Sequence, residues 1–136
     1  MARPFLDANV LLRRLLQDHP QQSPRATVYL ERIERGELEV RTADVVIFET
    51  VFTLQRQYRH PKAMIRDVLL PLLDLPGIAL PGKRYFHKAF DLYVGLNLPL
   101  ADAYYAVLME RLKLTEIVTF DKEFDRVPGI TRLEPS

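Results

Sequence analysis

The chain has 136 residues, 48% of them hydrophobic and 27% charged, which is the composition of one folded domain with a single core rather than of a disordered chain. Because it has no cysteine and no apolar run of about 18 residues, disulfides, thiolate metal sites and membrane spans are excluded, and we expect a single domain over residues 1–136 in the cytoplasm. The formal net charge of +1 excludes a strongly basic nucleic-acid binder, so any RNA-binding surface has to be local.

Hydrophobic spacing divides the chain into alternating strands and helices. It predicts a strand at 3–7, a helix at 8–17, a helix that Ser23 caps and Gly36 stops, a strand at 38–42, a helix at 43–59 and another helix to about 73. A strand at 78–80, an aromatic-rich helix at about 83–96, a helix at 100–112, and strands at 116–119 and 130–133 follow. Strands separated by helices pair in parallel, so the predicted class is α/β, a three-layer α/β/α sandwich with a central parallel sheet.

Two acidic residues follow predicted strands directly: Asp7 after the first and Asp121 after the fourth. Ligands of open parallel sheets bind beyond the carboxyl ends of the strands, so both carboxylates are expected at one rim of the sheet. The alternative is that each is only the N-cap of the helix that follows, a position that aspartate favours.

Two further acids lie on helix faces that the spacing predicts to be buried. Glu49 belongs to the stripe of Val45, Phe48 and Phe52, and Asp102 to the row of Tyr105, Ala106 and Met109. The alternatives are an ion pair with an arginine or a place at the edge of the stripe for Glu49, and attraction to the helix dipole for Asp102.

The four acids are more informative together than singly. Two carboxylates about 4 Å apart repel by roughly 4 kcal/mol at an effective dielectric near 20, so several converging acids require a cation. Hard oxygen ligands select Mg²⁺ or Mn²⁺. The histidines are scattered, without the helical pair that a histidine metal site uses.

Four short motifs resemble those of the PIN-domain family, in the same order along the chain; they are 5–11, 48–50, 100–103 and 118–124. Within that family the single domain is similar to VapC, the toxin half of toxin–antitoxin pairs. The resemblance implies an acidic quartet of catalytic residues and metal ligands: Asp7, Glu49, Asp102 and Asp121. It also implies that Asn9 and Thr119 help to hold the metal or its water. We interpret Asp125 as a solvated residue of the last turn rather than as an accessory acid.

The same resemblance implies an activity and partners. The activity is that of a Mg²⁺-dependent endoribonuclease, with Mn²⁺ able to substitute, which hydrolyses phosphodiester bonds of structured or translation-associated RNA. Cleavage leaves a 3′-hydroxyl and a 5′-phosphate. The expected partners are the RNA substrate, a cognate antitoxin protein and a second copy of the chain in a homodimer.

Two alternatives remain open. One is a phosphatase with Asp7 as aspartyl nucleophile, although such enzymes generally have a second acid where Asn9 stands. The other is a non-catalytic receiver-like or RNA-binding module that binds neither Mg²⁺ nor Mn²⁺.

Aromatic and basic side chains are candidates for contacts with nucleic acid. The aromatic residues at helical spacing are predicted to be core rather than a stacking platform for bases; they are Tyr85, Phe86, Phe90, Tyr93, Tyr104 and Tyr105. Arg13 and Arg14 are the basic residues nearest in sequence to Asp7, and they are candidates for phosphate contacts.

Overall fold

The structure is a computed structural model that describes residues 2–136, and the chain divides into two units, Met1–Lys83 and Arg84–Ser136. Both units combine helices with short parallel strands, so the α/β class is confirmed. Each described sheet has two strands. One domain with a single central sheet in three layers stays a prediction. Within residues 2–136, none of the helices has the length and apolar character needed to cross a bilayer.

The first unit contains four helices and two short strands. In chain order these are α1 (Ala8–Leu16), α2 (Gln22–Glu34), β1 (Val40–Arg41), α3 (Asp44–Arg56), α4 (Lys62–Leu73) and β2 (Ile78–Ala79). The strands pair in parallel, with Val40 opposite Ile78. The strand predicted at 3–7 is reduced to one parallel bridge between Phe5 and Arg41, since Pro4 has no N–H to donate to a sheet.

The helices of the first unit surround one apolar core. α1 contacts α2 and α3, and α3 contacts α4. The largest fully buried side chains come from every helix and from β2: Leu11, Ile33, Ile47, Leu54, Ile65, Leu69, Leu73 and Ile78. Each contributes about 1.5–3 kcal/mol through removal of its apolar surface from water, so this packing rather than helix propensity holds the helices in place.

The ends of α2 were only partly predicted. The helix begins at Gln22, and its first N–H donates to Nδ1 of His19 at 3.0 Å. Ser23 lies inside the helix and is not its cap; its hydroxyl accepts from the His19 N–H at 3.2 Å. Gly36 ends α2 as predicted, because its φ of +78° is a left-handed conformation that costs glycine little.

The buried face of α3 is not the predicted one. Val45 and Phe52 are 64% and 61% exposed, and Glu49 is exposed as well. The buried residues are instead Val46, Ile47, Thr50, Val51 and Leu54. The helix carries apolar residues on both sides, so spacing alone cannot choose between the two stripes. The core takes the mostly β-branched one, and the prediction of an inward Glu49 is wrong.

Gly77 lies where two parts of the first unit meet closely. A Cβ at this position would be 2.8 Å from Cγ2 of Ile33 and 3.0 Å from the carbonyl oxygen of Leu38. The carbonyl of Gly77 itself accepts from the Val40 N–H at 2.8 Å, directly before β2. Glycine is therefore required here by the close approach of α2 and of the segment that leads into β1.

The second unit contains two helices, a 3₁₀ turn and two strands. These are α5 (Tyr85–Gly95), α6 (Leu100–Leu112), β3 (Glu116–Val118), the 3₁₀ helix Lys122–Arg126 and β4 (Thr131–Leu133). β3 pairs with β4 in parallel, and α5 packs against α6. The strand bounds agree with the prediction to within one residue at each end.

Most of the aromatic cluster forms the core of the second unit, as predicted. Phe86, Phe90 and Tyr93 are fully buried, and Tyr104 stacks at a tilt on Phe86 with ring centroids 5.0 Å apart. Burial raises the pKa of Tyr93 well above its usual range. Tyr85 and Tyr105 are the exceptions, because Tyr85 is only half-buried and Tyr105 is 49% exposed, so neither belongs to the core.

Candidate metal centre

Three carboxyl groups of the second unit lie together: Asp102, Asp121 and Glu123. Each offers an oxygen, and these oxygens lie within 4.8 Å of one another. Asp102 is the third residue of α6, directly behind the helix start at Leu100. The other two acids come from the start of the 3₁₀ helix after β3. Two separate elements thus bring three negative side chains to one place.

The turn after β3 has hydrogen bonds that fix Asp121. Its backbone N–H donates to the Thr119 hydroxyl at 3.0 Å, and its Oδ1 accepts from the Glu123 N–H at 3.0 Å. Asp121 is therefore an N-cap, as the alternative interpretation held, and it also lies in the acidic cluster. The two roles are compatible because a carboxylate offers two oxygens with several lone pairs.

The cluster is electrostatically unfavourable by itself. Burial raises the pKa of Asp102 to about 7, and a hydrogen bond and negative charge from Asp121, followed by those of Glu123, act in the same direction. Within the described range 2–136, no lysine or arginine forms an ion pair with any of the three acids. The raised pKa of Asp102 reflects the cost of three neighbouring negative charges that no cation compensates.

Glu123 was not among the predicted site residues. Its Oε2 is buried and has no hydrogen-bond partner among residues 2–136. A buried carboxylate oxygen in that state costs free energy unless an ion or another donor satisfies it. The available signal was its spacing of two residues from Asp121, which puts both acids on one turn.

Asp125 lies outside the cluster, in agreement with its interpretation as a solvated residue. It is exposed and accepts from the Arg132 guanidinium at 3.1 Å. Arg132 also pairs with Glu134 at 2.7 Å. An acid already compensated by an arginine needs no metal ion.

The cluster fits a hard divalent cation. Three carboxylates at mutual distances under 4.8 Å, one of them with an orphaned buried oxygen, provide the oxygen ligands that Mg²⁺ and Mn²⁺ prefer. Mg²⁺ commonly uses one or two protein carboxylates and keeps several waters, so three acids suffice.

Asp7 and Asn9 belong to the first unit, at the start of α1. Asp7 occupies the N-cap position with φ −88° and ψ 157°, but its side chain makes no capping hydrogen bond. Asp7 is thus the N-cap residue by position, as the alternative interpretation held, but the helix does not use its exposed carboxylate. Asn9 is exposed two residues further on, and both residues line one cleft.

Glu49 is an exposed residue of α3 in the same unit. Its carboxylate therefore stays hydrated and has no desolvation cost that a metal ion would have to offset. Its assignment as a catalytic acid, like that of Asp7, stays a prediction from the resemblance.

The PIN-domain family model matches residues 5–130. Because this match covers most of the chain, the protein belongs to the PIN-domain family. No curated protein matches the sequence. PIN domains are usually metal-dependent nucleases, so the family indicates nuclease activity and agrees with an acidic cluster fit for a divalent metal.

Proposed function

We propose that the protein is a Mg²⁺-dependent endoribonuclease, with Mn²⁺ able to substitute, and the toxin component of a VapBC-like toxin–antitoxin pair. The observation that carries the proposal is the carboxyl cluster of Asp102, Asp121 and Glu123, with its orphaned Oε2 on Glu123 and no basic partner within residues 2–136. Membership of the PIN-domain family supports a nuclease that uses such a cluster.

Each acid of the second unit has a part in this proposal. Asp102, Asp121 and Glu123 hold the metal, and the Thr119 hydroxyl keeps Asp121 in place through its backbone N–H. The bound cation supplies a water of lowered pKa and positive charge that stabilises the phosphate oxygens. Asp121 would then accept the proton of the attacking water, because it is one of the three carboxylates that surround the proposed metal position.

Asp7, Glu49 and Asn9 enter the proposal from the family pattern. Asp7 and Glu49 are proposed as the remaining acids of the quartet, and Asn9 as a polar residue that helps to hold the metal or its water. The free carboxylate of Asp7, which makes no cap to its helix, supports a role other than helix capping.

The toxin role extends the proposal to partners. A cytoplasmic ribonuclease of this kind acts on structured or translation-associated RNA, is inhibited by a cognate antitoxin and forms a homodimer. A neighbouring gene for a small protein with a DNA-binding head and a disordered tail would support the pairing. Growth arrest on expression, relieved by co-expression of that neighbour, tests it directly.

The activity itself is tested with Asp7→Asn and a matched control, Asp18→Asn. Both are exposed aspartates of the first unit, so neither change is expected to unfold it. The purified proteins are incubated with total RNA and Mg²⁺, and the cleavage ends are mapped. We expect Asp18→Asn to cleave like the wild type and leave 3′-hydroxyl ends, and Asp7→Asn to be inactive.

Other results of the same assay distinguish the rival functions. Full cleavage by Asp7→Asn would refute its assignment as a catalytic acid. Trapping of a phospho-aspartate on Asp7 would identify the phosphatase. Absence of heat on titration with Mn²⁺, together with intact RNA, would identify the non-catalytic module.

A further inference from the structure

A cleft of about 510 Å³ lies on the first unit between α1 and α2. Asp7 and Asn9 line it at the start of α1, Arg13 lines it further along the same helix, and Arg25 and Tyr29 line it from α2. Pockets that hold small ligands have volumes of roughly 300–1,000 Å³, so the cleft has room for one nucleotide. It is open on a surface that includes a proposed catalytic acid.

The charge of this cleft favours an anion. Arg25 is exposed and, within residues 2–136, has no ion pair or side-chain hydrogen bond. Arg13 donates from Nε to the neutral Gln22 side chain at 2.8 Å and has no carboxylate partner in that range. Asp7 is the single acid of the lining. Several other surface arginines, such as Arg3 with Glu39, are paired with acids.

Arg25 keeps all its guanidinium donors for a ligand, and Arg13 keeps those other than the Nε–H that it donates to Gln22. The planar fork of a guanidinium matches the oxygens of a phosphate group, and its charge is retained at every physiological pH. Two such groups along one cleft suit consecutive charges on a polyanion better than a single small anion.

The cleft also has an aromatic lining. Phe5, at its rim, is 63% exposed, and Tyr29 is half-buried. An exposed phenylalanine in a cleft that two arginines also line suits a single-stranded nucleic acid, because an unstacked base can cover the ring while arginine holds the backbone. The buried side chains of Leu6, Ala26 and Val40 give the cleft an apolar floor.

We propose that this cleft binds an unpaired nucleotide of the RNA substrate, with Arg25 and Arg13 on its phosphates and Phe5 and Tyr29 on its base. The inference rests on the proposed function for its substrate. What it adds is a set of nucleotide-binding side chains outside the acidic cluster. They suit an unpaired nucleotide because a base in a duplex cannot enter the cleft.

The test measures binding separately from cleavage. The dissociation constant (Kd) of a short fluorescent single-stranded RNA is determined by anisotropy over a range of salt concentrations, with Ca²⁺ replacing Mg²⁺ and the RNA checked for integrity. Arg25→Gln is compared with Arg32→Gln, which removes the same charge from the same helix but lies outside the cleft lining. Phe5→Leu keeps an apolar side chain and removes the ring.

We expect Arg25→Gln to raise the Kd about tenfold. It should also lower the slope of log Kd against log salt concentration by about one, the value for one phosphate contact. Arg32→Gln should leave the Kd and the slope near the wild-type values. Phe5→Leu should raise the Kd by about fivefold or more with an unchanged slope. A hairpin duplex should bind the wild type and Arg25→Gln equally.

The outcomes separate this inference from the proposed function. If the wild type cleaves RNA in Mg²⁺ but Arg25→Gln alters neither Kd nor slope, the cleft does not take RNA and the inference is wrong by itself. If RNA binding depends on Arg25 but no cleavage occurs in Mg²⁺, the inference stands and the ribonuclease proposal fails. Equal losses for Arg25→Gln and Arg32→Gln would indicate general charge attraction and would also overturn the inference.

Discussion

Asp121 and Glu123 are joined by a hydrogen bond of 3.0 Å, from the backbone N–H of Glu123 to Oδ1 of Asp121. The bond begins the 3₁₀ helix and holds both carboxylates on one turn, where they meet Asp102 of α6. Two of the three acids in the cluster therefore depend on the same short segment. A substitution that keeps this hydrogen bond can therefore remove the charge of one acid without moving the turn.

Asp121→Asn is expected to weaken Mn²⁺ binding at least about tenfold, a loss that even indirect partners of a metal site can cause. Asparagine keeps an oxygen that can accept from the Glu123 N–H, so the turn is retained and the loss reports the missing charge. Calorimetric titration measures the affinity. Asp125→Asn, on the same 3₁₀ helix but outside the cluster, is the control and should bind Mn²⁺ like the wild type. Unchanged affinity in Asp121→Asn would remove it from the ligand set.

The metal-free protein should become less stable as pH rises toward 7. The pKa of Asp102 in the folded state is about 7, above its ordinary value of 3.8, so folding is favoured while this carboxyl is protonated. Its contribution is complete below pH 3.8 and is lost as pH rises through about 7. The melting temperature, measured from about pH 5 to about pH 8 in a chelator, should therefore fall.

Two controls accompany the pH series. Asp102→Asn has no carboxyl to titrate at this position, so its melting temperature should depend less on pH. Saturating Mg²⁺ should flatten the wild-type curve above neutral pH, because the cation stabilises the ionised cluster. A wild-type curve that parallels that of Asp102→Asn would contradict the raised pKa.

Substitutions that change the free energy of unfolding can test which face of α3 is buried. Ile47 is fully buried, whereas Val45 is 64% exposed on the same helix. Ile47→Ala should lower the free energy of unfolding by about 2–5 kcal/mol, and Val45→Ala by no more than about 0.5 kcal/mol. Urea denaturation measures both. Equal losses of stability would contradict the buried face described for α3 and would favour the face that contains Val45 and Glu49.

The sequence predicted elements best where the chain contains clear start and stop signals. α6 begins at Leu100 behind Pro99, and α2 ends two residues before Gly36, because proline and glycine act through local backbone geometry. Four of the five predicted strands were located correctly but have only two or three residues each, and the strand predicted at 3–7 is a single bridge. Strand length depends on pairing with distant segments, which local patterns do not contain.

The candidate site was less accessible to prediction, for two physical reasons. The face on which Glu49 lies was assigned wrongly because α3 has two apolar stripes, and only tertiary packing selects one of them. Glu123 was overlooked because an acid next to Lys122 in a short charged run usually is a solvated side chain. Its proximity to Asp102 and the burial of its Oε2 depend on the tertiary fold, which a local pattern does not contain.

The close packing around Gly77 has a genetic consequence. Residue 77 has no side chain to offer to catalysis or binding, yet any other amino acid would push a Cβ to 2.8 Å from Cγ2 of Ile33. A random-mutagenesis screen for inactive proteins should therefore recover substitutions at this codon alongside those of the acidic residues. Only the former should also reduce the amount of protein that accumulates in the cell.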